Sequence, residues 1–318
     1  MSDPQQVEED LLMARLSPLL NGGSPTLAEL GMTLDRVQEL GFSVSEDRVR
    51  IPDGIERLDG SRIRDQLSGR ALRWLNDLEV FPVVGSTNAH LMRKTAGGSI
   101  AGLVAIAELQ VKGRGRRGRG WQSPFGSNLA LSAGLSFPHK PADLGGFSLC
   151  IGLALVDQLL DLGIQGVEVK WPNDVLLHGR KLAGVLIELV SCPDRTDVVV
   201  GVGINLQLTP SVRSLIDQPI ADLHETGCIV SRNLLAARFL SGIVDYAQGF
   251  AQQGFRPMVE AFNSHHRFHR KPVRLIQADG ESCGVVQGVT ETGELILETV
   301  SGTCVYNAGE VSMRDAKA

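Results

Sequence analysis

Gly113–Trp121 reads GRGRRGRGW, and with Lys112 it puts five basic residues into eight positions without an acid. Apolar runs of strand character bracket it, Leu103–Ala107 before and Asn128–Leu135 after. Such charge has no place in a core, so the chain must fold as a sheet from which these residues leave as a loop between two strands. Glycines at 113, 115, 118 and 120 let backbone amides turn toward a ligand. Arg114, Arg116, Arg117 and Arg119 offer forked donors matched to phosphate or carboxylate. Within a chain of net charge −5 this local excess of cations points to a small anion, such as a nucleotide phosphate. The competing reading is a solvated arginine face or an RGG-like nucleic-acid contact.

At 318 residues the chain has room for two or three domains. Its 43% hydrophobic and 21% charged residues describe a globular protein, and its mild acidity argues against a general binder of nucleic acid or membranes. Cys150, Cys192, Cys228, Cys283 and Cys304 are scattered and form no CxxC pair, which suits a reducing compartment and neither a disulfide framework nor a zinc site. The acidic MSDPQQVEED start has no signal-peptide character, and the clean apolar run at 149–156 is far below the ~20 residues of a membrane span. A cytoplasmic protein is expected.

Residues 1–58 form a small module. A helix is expected over 8–20, ended or bent by Pro18, and one second helix over 26–40 with Thr26 as N-cap, Glu29 completing a capping box and Gly41 as the stop. Segments 42–45 and 48–51 alternate around Glu46-Asp47 as a β-hairpin. Helix, helix, hairpin reads as a reduced winged helix. With 12 acids against 7 arginines and no lysine over residues 1–64, and room for one helix after the first, DNA binding is disfavoured. Residues 60–268 alternate strands (80–84, 103–108, 128–137, 167–171, 175–177, 182–190, 198–204) with helices (88–94, 144–162, 231–252, 256–264). Short turns join some strands and helices join others, so the sheet must be mixed and the class α+β or α/β. Residues 270–318 carry four short strands (273–277, 284–289, 295–298, 302–306) in the manner of an SH3-like barrel, with Arg314 just after the last.

Other stretches bear on chemistry. The glycines at 113, 115 and 118 spell GxGxxG, but a strand follows where a dinucleotide fingerprint needs a helix, and no GxxxxGK[ST] occurs. Lys170-Trp171-Pro172-Asn173-Asp174 places Lys, Asn and Asp on one rigid turn suited to phosphate, metal or base edge; ordinary turn chemistry is the alternative. Lys181, within GRKLAG at 179–184, heads an apolar strand, either as a charge for a reacting phosphate or carboxylate or as a snorkelling strand-end lysine. Gly85-Ser86-Thr87-Asn88 is a polar headgroup site or a plain N-cap. The glycines of GVGIN at 201–205 imply close approach of a ligand or a bulge. His265, His266 and His269 have helical spacing but no acid or cysteine beside them, and read as surface residues.

Taken in order and spacing, Ser86-Thr87-Asn88, GRGRRGR with Trp121, KWPND, GRKLAG followed by LIE, GVGIN and the EVSMR at 310–314 resemble the biotin protein ligases of the bacterial bifunctional ligase/repressor type. The resemblance runs from about 60 to 318. It implies a class II synthetase/SH2-like catalytic domain that forms biotinyl-5′-AMP from biotin and ATP with Mg2+. The biotin then passes to a lysine of the biotin carboxyl carrier protein of acetyl-CoA carboxylase. By the same resemblance Ser86, Thr87 and Gln110 meet the ureido ring, Arg114 lies at the biotin carboxylate, and Asn88, Arg116 and Lys181 belong to the biotin site as well. Gly113, Gly115, Gly184 and Gly203 line the pocket. Arg116, Arg117 and Arg119 hold phosphates, Trp121 stacks by the adenine side, and Asn173, Asn205 and Arg314 serve the nucleotide. Asp174 would serve the metal. Lys181, Arg116 and Lys170 are the catalytic candidates. A homodimer on ligand binding is implied as well. A regulator sensing a biotin-like ligand is the alternative from another class; a lipoate ligase lacks the GRGRRGR loop.

Overall fold

The computed structural model describes residues 4–277, 280–307 and 312–315. Glu310 and Val311 of the EVSMR motif and the first three residues lie outside them.

Helix α1 (Pro4–Leu20) runs two residues past Pro18, which sits in its last turn. The expected second helix is two. Helix α2 (Leu27–Leu30) opens with the Thr26/Glu29 capping box and stops at Gly31, whose φ of 62° is left-handed. A new cap at Thr33 then starts α3 (Leu34–Glu39). Gly31 splits the segment because a left-handed residue redirects the chain and the next hydroxyl can recap it. Strands β1 (Ser43–Ser45) and β2 (Arg48–Arg50) pair antiparallel around Glu46 and Asp47, both at positive φ.

Helices α4 (Gly60–Asp65) and α5 (Gly69–Trp74) precede β3 (Asp77–Phe81), α6 (Thr87–Lys94), β4 (Leu103–Ala107), β5 (Asn128–Phe137), α7 (Phe147–Asp161), β6 (Val167–Lys170), β7 (Asp174–Leu177), β8 (Arg180–Ser191) and β9 (Thr196–Asn205). These strands form one seven-stranded sheet, ordered β3-β4-β5-β9-β8-β7-β6, in which only the β3–β4 pair is parallel. The short α8 (Pro210–Arg213) follows, then α9 (Arg232–Gln253) and α10 (Val259–His265). Helix α7 is apolar from Leu149 to Val156 because that stretch is covered by the sheet and by α9, while Asp157, Gln158 and Asp161 fall on its less buried end.

The last unit has five strands, β10 (Pro272–Gln277), β11 (Gly280–Val289), β12 (Leu295–Thr299), β13 (Gly302–Tyr306) and β14 (Ser312–Asp315), ordered β13-β12-β11-β10-β14. Arg314 therefore lies within a strand, opposite Arg274, and not after the last one. The inner residues of these strands, Val273, Leu275, Val286, Leu297 and Met313 among them, join the core built on the large sheet.

Nor is the N-terminal core closed within residues 1–58. Leu16, Leu30, Val37, Phe42 and Val49 pack with Val83, Leu109 and Phe125 of the next unit. The Phe42 and Phe125 rings lie 5.1 Å apart, Phe125 N–H donates to Leu40 O at 2.8 Å, and a Cβ at Gly41 would overlap the Phe125 backbone.

Between the two cores lies a buried ion pair. Glu108, 1% exposed, accepts from Arg232 Nη1 (2.6 Å), from Arg57 Nε (3.1 Å) and from Leu58 N–H (2.8 Å). Arg232 also donates to the carbonyls of Glu56 and Asn128. Removing one partner strands a charge in the interior, so Arg232→Met should cost about 3 kcal/mol. Thermal melts check this; a melting temperature equal to that of the parent protein would show the pair is not structural.

Candidate active site

Three glycines sit in register at the middle of the large sheet. Gly203 on β9 is opposite Gly184 on β8 and Ala130 on β5, and Gly201 is opposite Leu186 and Ser132. The Trp121 indole lies across this floor. A Cβ on Gly203 would sit 2.5 Å from its Cε2, and one on Gly184 would be 3.5 Å from its Cζ3. Gly203 is required by this close approach, as its place in an apolar strand suggested, while a Cβ at Gly184 would make only ordinary contact. Trp121 Nε1 is buried without a partner among the described residues.

The arginine loop is a narrow hairpin. Gln110 N–H pairs with Ser123 O (3.0 Å), Trp121 N–H with Gly113 O (2.9 Å) and Gly115 N–H with Arg119 O (2.7 Å). Its tip is Arg117–Gly118, at φ of 58° and 71°. At its foot, Lys112 N–H bonds Gly85 O, and Lys112 Nζ reaches Glu8 Oε2 of α1 at 2.5 Å. The neighbouring Glu9 is buried against Gly85, where a Cβ would overlap its carboxylate.

One cavity over the glycine floor gathers most of the residues singled out in the sequence. At one end are Ser86, Thr87, Asn88 and Gln110; at the other Arg116, Arg117, Arg119, Lys170, Asn173, Asp174, Lys181 and Arg314, with Arg114, Gly115, Trp121, Gly184 and Gly203 between. Lys181 Nζ pairs with Asp174 Oδ1 at 2.8 Å and stands 5.5 Å from the Trp121 ring centroid. Arg116 Nη1 donates to Asn173 Oδ1 at 3.2 Å, while Asn173 is pinned to β8 by bonds to Val185 O and N–H. Burial holds both Arg116 and Lys170 below their ordinary pKa values; for Lys170 the Asp174 carboxylate opposes this and Arg314, Lys181 and Arg119 add to it. Six cations around one carboxylate create a site that gains by taking up an anion.

Two predicted residues fall elsewhere. Gly113 is on the outer side of the hairpin, where a Cβ would overlap Trp121 O. Asn205 is buried, donating to Ala221 O at 3.0 Å, and faces an adjoining depression with Leu215, Ile216, Asp217 and Gln218, which Arg119, Trp121, Lys181 and Arg314 also border. Sequence reasoning assigned no role to Ser132, Gln218 or Glu188, whereas Gly201 fell within the GVGIN stretch read as a place of close approach. Ser132 alone carried a signal, as a hydroxyl in the middle of an apolar strand.

His266 is not a surface residue. At 5% exposure it stacks on Phe262 and accepts the Trp171 backbone N–H at Nε2 (3.2 Å). Trp171, joined to Pro172 by a cis bond, donates its indole N–H to Gly293 O (3.0 Å). The KWPND turn is thus held from behind by α10 and by the β-rich unit. Residues 265–269 missed this because helical spacing alone does not say which face is covered.

Residues 80–205 match the biotin/lipoate A/B protein ligase family, and residues 271–314 match the biotin protein ligase C-terminal domain. The bifunctional ligase/repressor BirA of Salmonella typhimurium is 36% identical over 314 residues, covering 98% of this chain and 93% of that protein. The biotin–[acetyl-CoA-carboxylase] ligase of Mycobacterium tuberculosis is 34% identical, covering 83% of this chain and 97% of its own. Among solved structures, the Aquifex aeolicus biotin protein ligase in complex with biotin and ATP superposes with a TM-score of 0.64 at 26% identity, covering 76% of this chain and all of that one. The chain belongs to the biotin protein ligase family.

Burial lowers the pKa of His266 from 6.5 to about 3, with His269, Lys170 and Lys271 adding repulsion. The unfolded chain protonates at the ordinary value, so the stabilisation is whole above 6.5 and is lost as pH falls toward 3. Urea midpoints taken between about pH 7.5 and 4.5 should fall less steeply for His266→Phe than for the parent; equal slopes would show that another group carries the acid sensitivity.

Proposed function

We propose that the protein is an ATP-dependent biotin protein ligase whose site residues act as their geometry suggests. The observation that carries this reading is the single two-ended cavity: neutral hydrogen-bonding groups at one end, cations at the other, an apolar glycine-and-indole floor between. That shape suits a ligand with an uncharged polar head, an apolar arm, and a carboxylate delivered to a nucleotide phosphate.

In the first step a biotin carboxylate oxygen attacks the α-phosphorus of ATP and the bond to pyrophosphate breaks. Negative charge grows on the phosphoryl oxygens, and Lys181, Arg116 and Lys170 stand ready to meet it in a partly dehydrated cleft. In the second step a neutral lysine amine of the carrier domain attacks the acyl carbon. An amide forms, the bond to AMP breaks, and the amine loses a proton. Arg119 and Arg314, which border both the cavity and the adjoining depression, would hold the nucleotide across the two. Among the described residues no three acids, histidines or cysteines cluster as a metal centre, and Asp174 is engaged by Lys181. Mg2+ would neutralise the phosphates, and Asp174 and Asn173, in the cationic part of the cavity lining, are the oxygen donors that would hold it. All five cysteines are free, which supports action in a reducing compartment.

A repressor role is the second reading. Two short helices on either side of Gly31, with a hairpin after them, give residues 1–58 the element order of a winged helix, and the chain aligns with nearly the whole of a named ligase/repressor. Charge opposes it. Helix α3 offers one arginine, Arg36, and Glu39 neutralises it at 3.2 Å. Gel shifts against biotin-operator DNA over several salt concentrations should show no tight sequence-specific complex; a specific complex that weakens steeply with salt would reverse this judgement.

Mixing the protein with biotin, MgATP and a carrier domain should give a mass increase of one biotin on one lysine; an unmodified carrier would sink the ligase reading. Lys181→Ala should slow adenylate formation about 100-fold, the scale for losing one charge-stabilising donor, as read by biotinyl-AMP yield in single turnover. A normal yield would remove Lys181 from the first step.

A further inference from the structure

We infer that Glu188, acting through Asn88 and Ser132, is a positioning residue that fixes the Thr87 hydroxyl as a hydrogen-bond acceptor for an N–H of the ligand's cyclic urea. The inference rests on the biotin reading above and names the groups behind the headgroup end of the cavity.

The direction of each hydrogen bond follows from Glu188. A carboxylate can only accept, and its Oε2 is 2.8 Å from Asn88 Nδ2. Leu186 O, another acceptor, lies 3.4 Å from the same nitrogen. The Asn88 amide is thereby oriented, with its Oδ1 turned to Ser132 Oγ at 2.6 Å. Oδ1 has no proton to give, so the single Ser132 proton goes to it. Ser132 is fully buried and its oxygen is also 2.7 Å from Thr87 Oγ1, a contact that now needs the proton of Thr87. The other oxygen near Thr87 Oγ1 is Gln110 Oε1 at 3.1 Å, and it already takes the Thr87 backbone N–H at 2.8 Å. At 2.7 Å against 3.1 Å, and with Gln110 Oε1 already holding the backbone proton, Ser132 Oγ draws the Thr87 proton, which stays inside the protein. Thr87 therefore meets the cavity with lone pairs only, while Gln110 keeps its amide nitrogen as a donor. An acceptor beside a donor complements an N–H beside a C=O, the edge of a cyclic urea.

Gly201 supports the arrangement independently. A Cβ there would overlap Asn88 Oδ1, so the strand opposite Ser132 makes room for this amide. The second oxygen of Glu188 faces Arg114 at 3.9 Å, which puts the same carboxylate beside the arginine loop.

Calorimetry with biotin, in the full-length protein and without ATP, tests the relay. Ser132→Ala and Glu188→Leu should each weaken biotin about tenfold, the worth of one net hydrogen bond, raising the KM for biotin while the KM for ATP and kcat at saturating biotin hold. Glu188→Gln can still present an oxygen to Asn88 and should recover most of the loss. Cyclic-carbamate analogues of biotin, with oxygen for either ring N–H, give the sharper readout. In the parent protein one of them sets oxygen against oxygen and binds at least about tenfold more weakly than biotin; in Ser132→Ala, where Thr87 is free to turn, that gap should shrink. Equal gaps in parent and variant, or losses confined to kcat, would overturn the relay alone. Absence of biotin binding in the parent would overturn the ligase reading with it.

Discussion

Everything in this fold is hung on one buried carboxylate. Glu108 takes hydrogen bonds from Arg232 at the start of α9 and from Arg57 and Leu58 in the connection out of the N-terminal module. Its own N–H donates to Phe81 O at the end of β3, and its O accepts Gly126 N–H where the loop region rejoins the sheet before β5. A charge at 1% exposure is tolerable only when such partners converge on it. The same contacts therefore set where the first module sits, where α9 begins and where the arginine loop leaves the sheet. Gln110, at the headgroup end of the cavity, is two residues further along.

The site draws on the opposite resource, absence of side chains. Gly203 lets the Trp121 indole lie on the sheet itself, and Gly201 admits the Asn88 amide. The cations then crowd above this floor with few acids to offset them, a state favoured only with an anion between them. Asp174, paired with Lys181, keeps that lysine ordered close to where a carboxylate and a phosphate would meet. Ordering before the ligand arrives lowers the cost of binding and of the charge that develops afterwards.

Much of this was legible in the chain, for physical reasons. Strands such as 128–137 and 198–204 announce themselves because burial on both faces requires continuous apolar character. KWPND, GRKLAG and GVGIN could be placed because each sits at a strand end or in the sheet centre. The local alternatives, by contrast, could not be settled residue by residue. Nothing in positions 26–40 says that Gly31 would turn left-handed and divide the helix. The burial of His266 depends on Phe262 and on a strand turn some hundred residues away. Arg314 became a strand residue because β10 had a free edge, which four strands counted from sequence could not reveal. Ser132 and Glu188 lay in plain view, but a hydrogen-bond chain that runs through two strands and a helix has no linear spacing.

The feet of the arginine hairpin have a mechanical consequence. They are tied twice, at Gln110–Ser123 and Gly113–Trp121, and Phe125 just beyond is seated in the N-terminal core. Any swing is left to the residues between 113 and 121, about 30 Å of contour if fully extended and so about 15 Å out and back. A flap of that length spans a nucleotide-sized cleft and little else. Any acceptor that reacts with a ligand held on the glycine floor must accordingly be brought to the rim of the cavity.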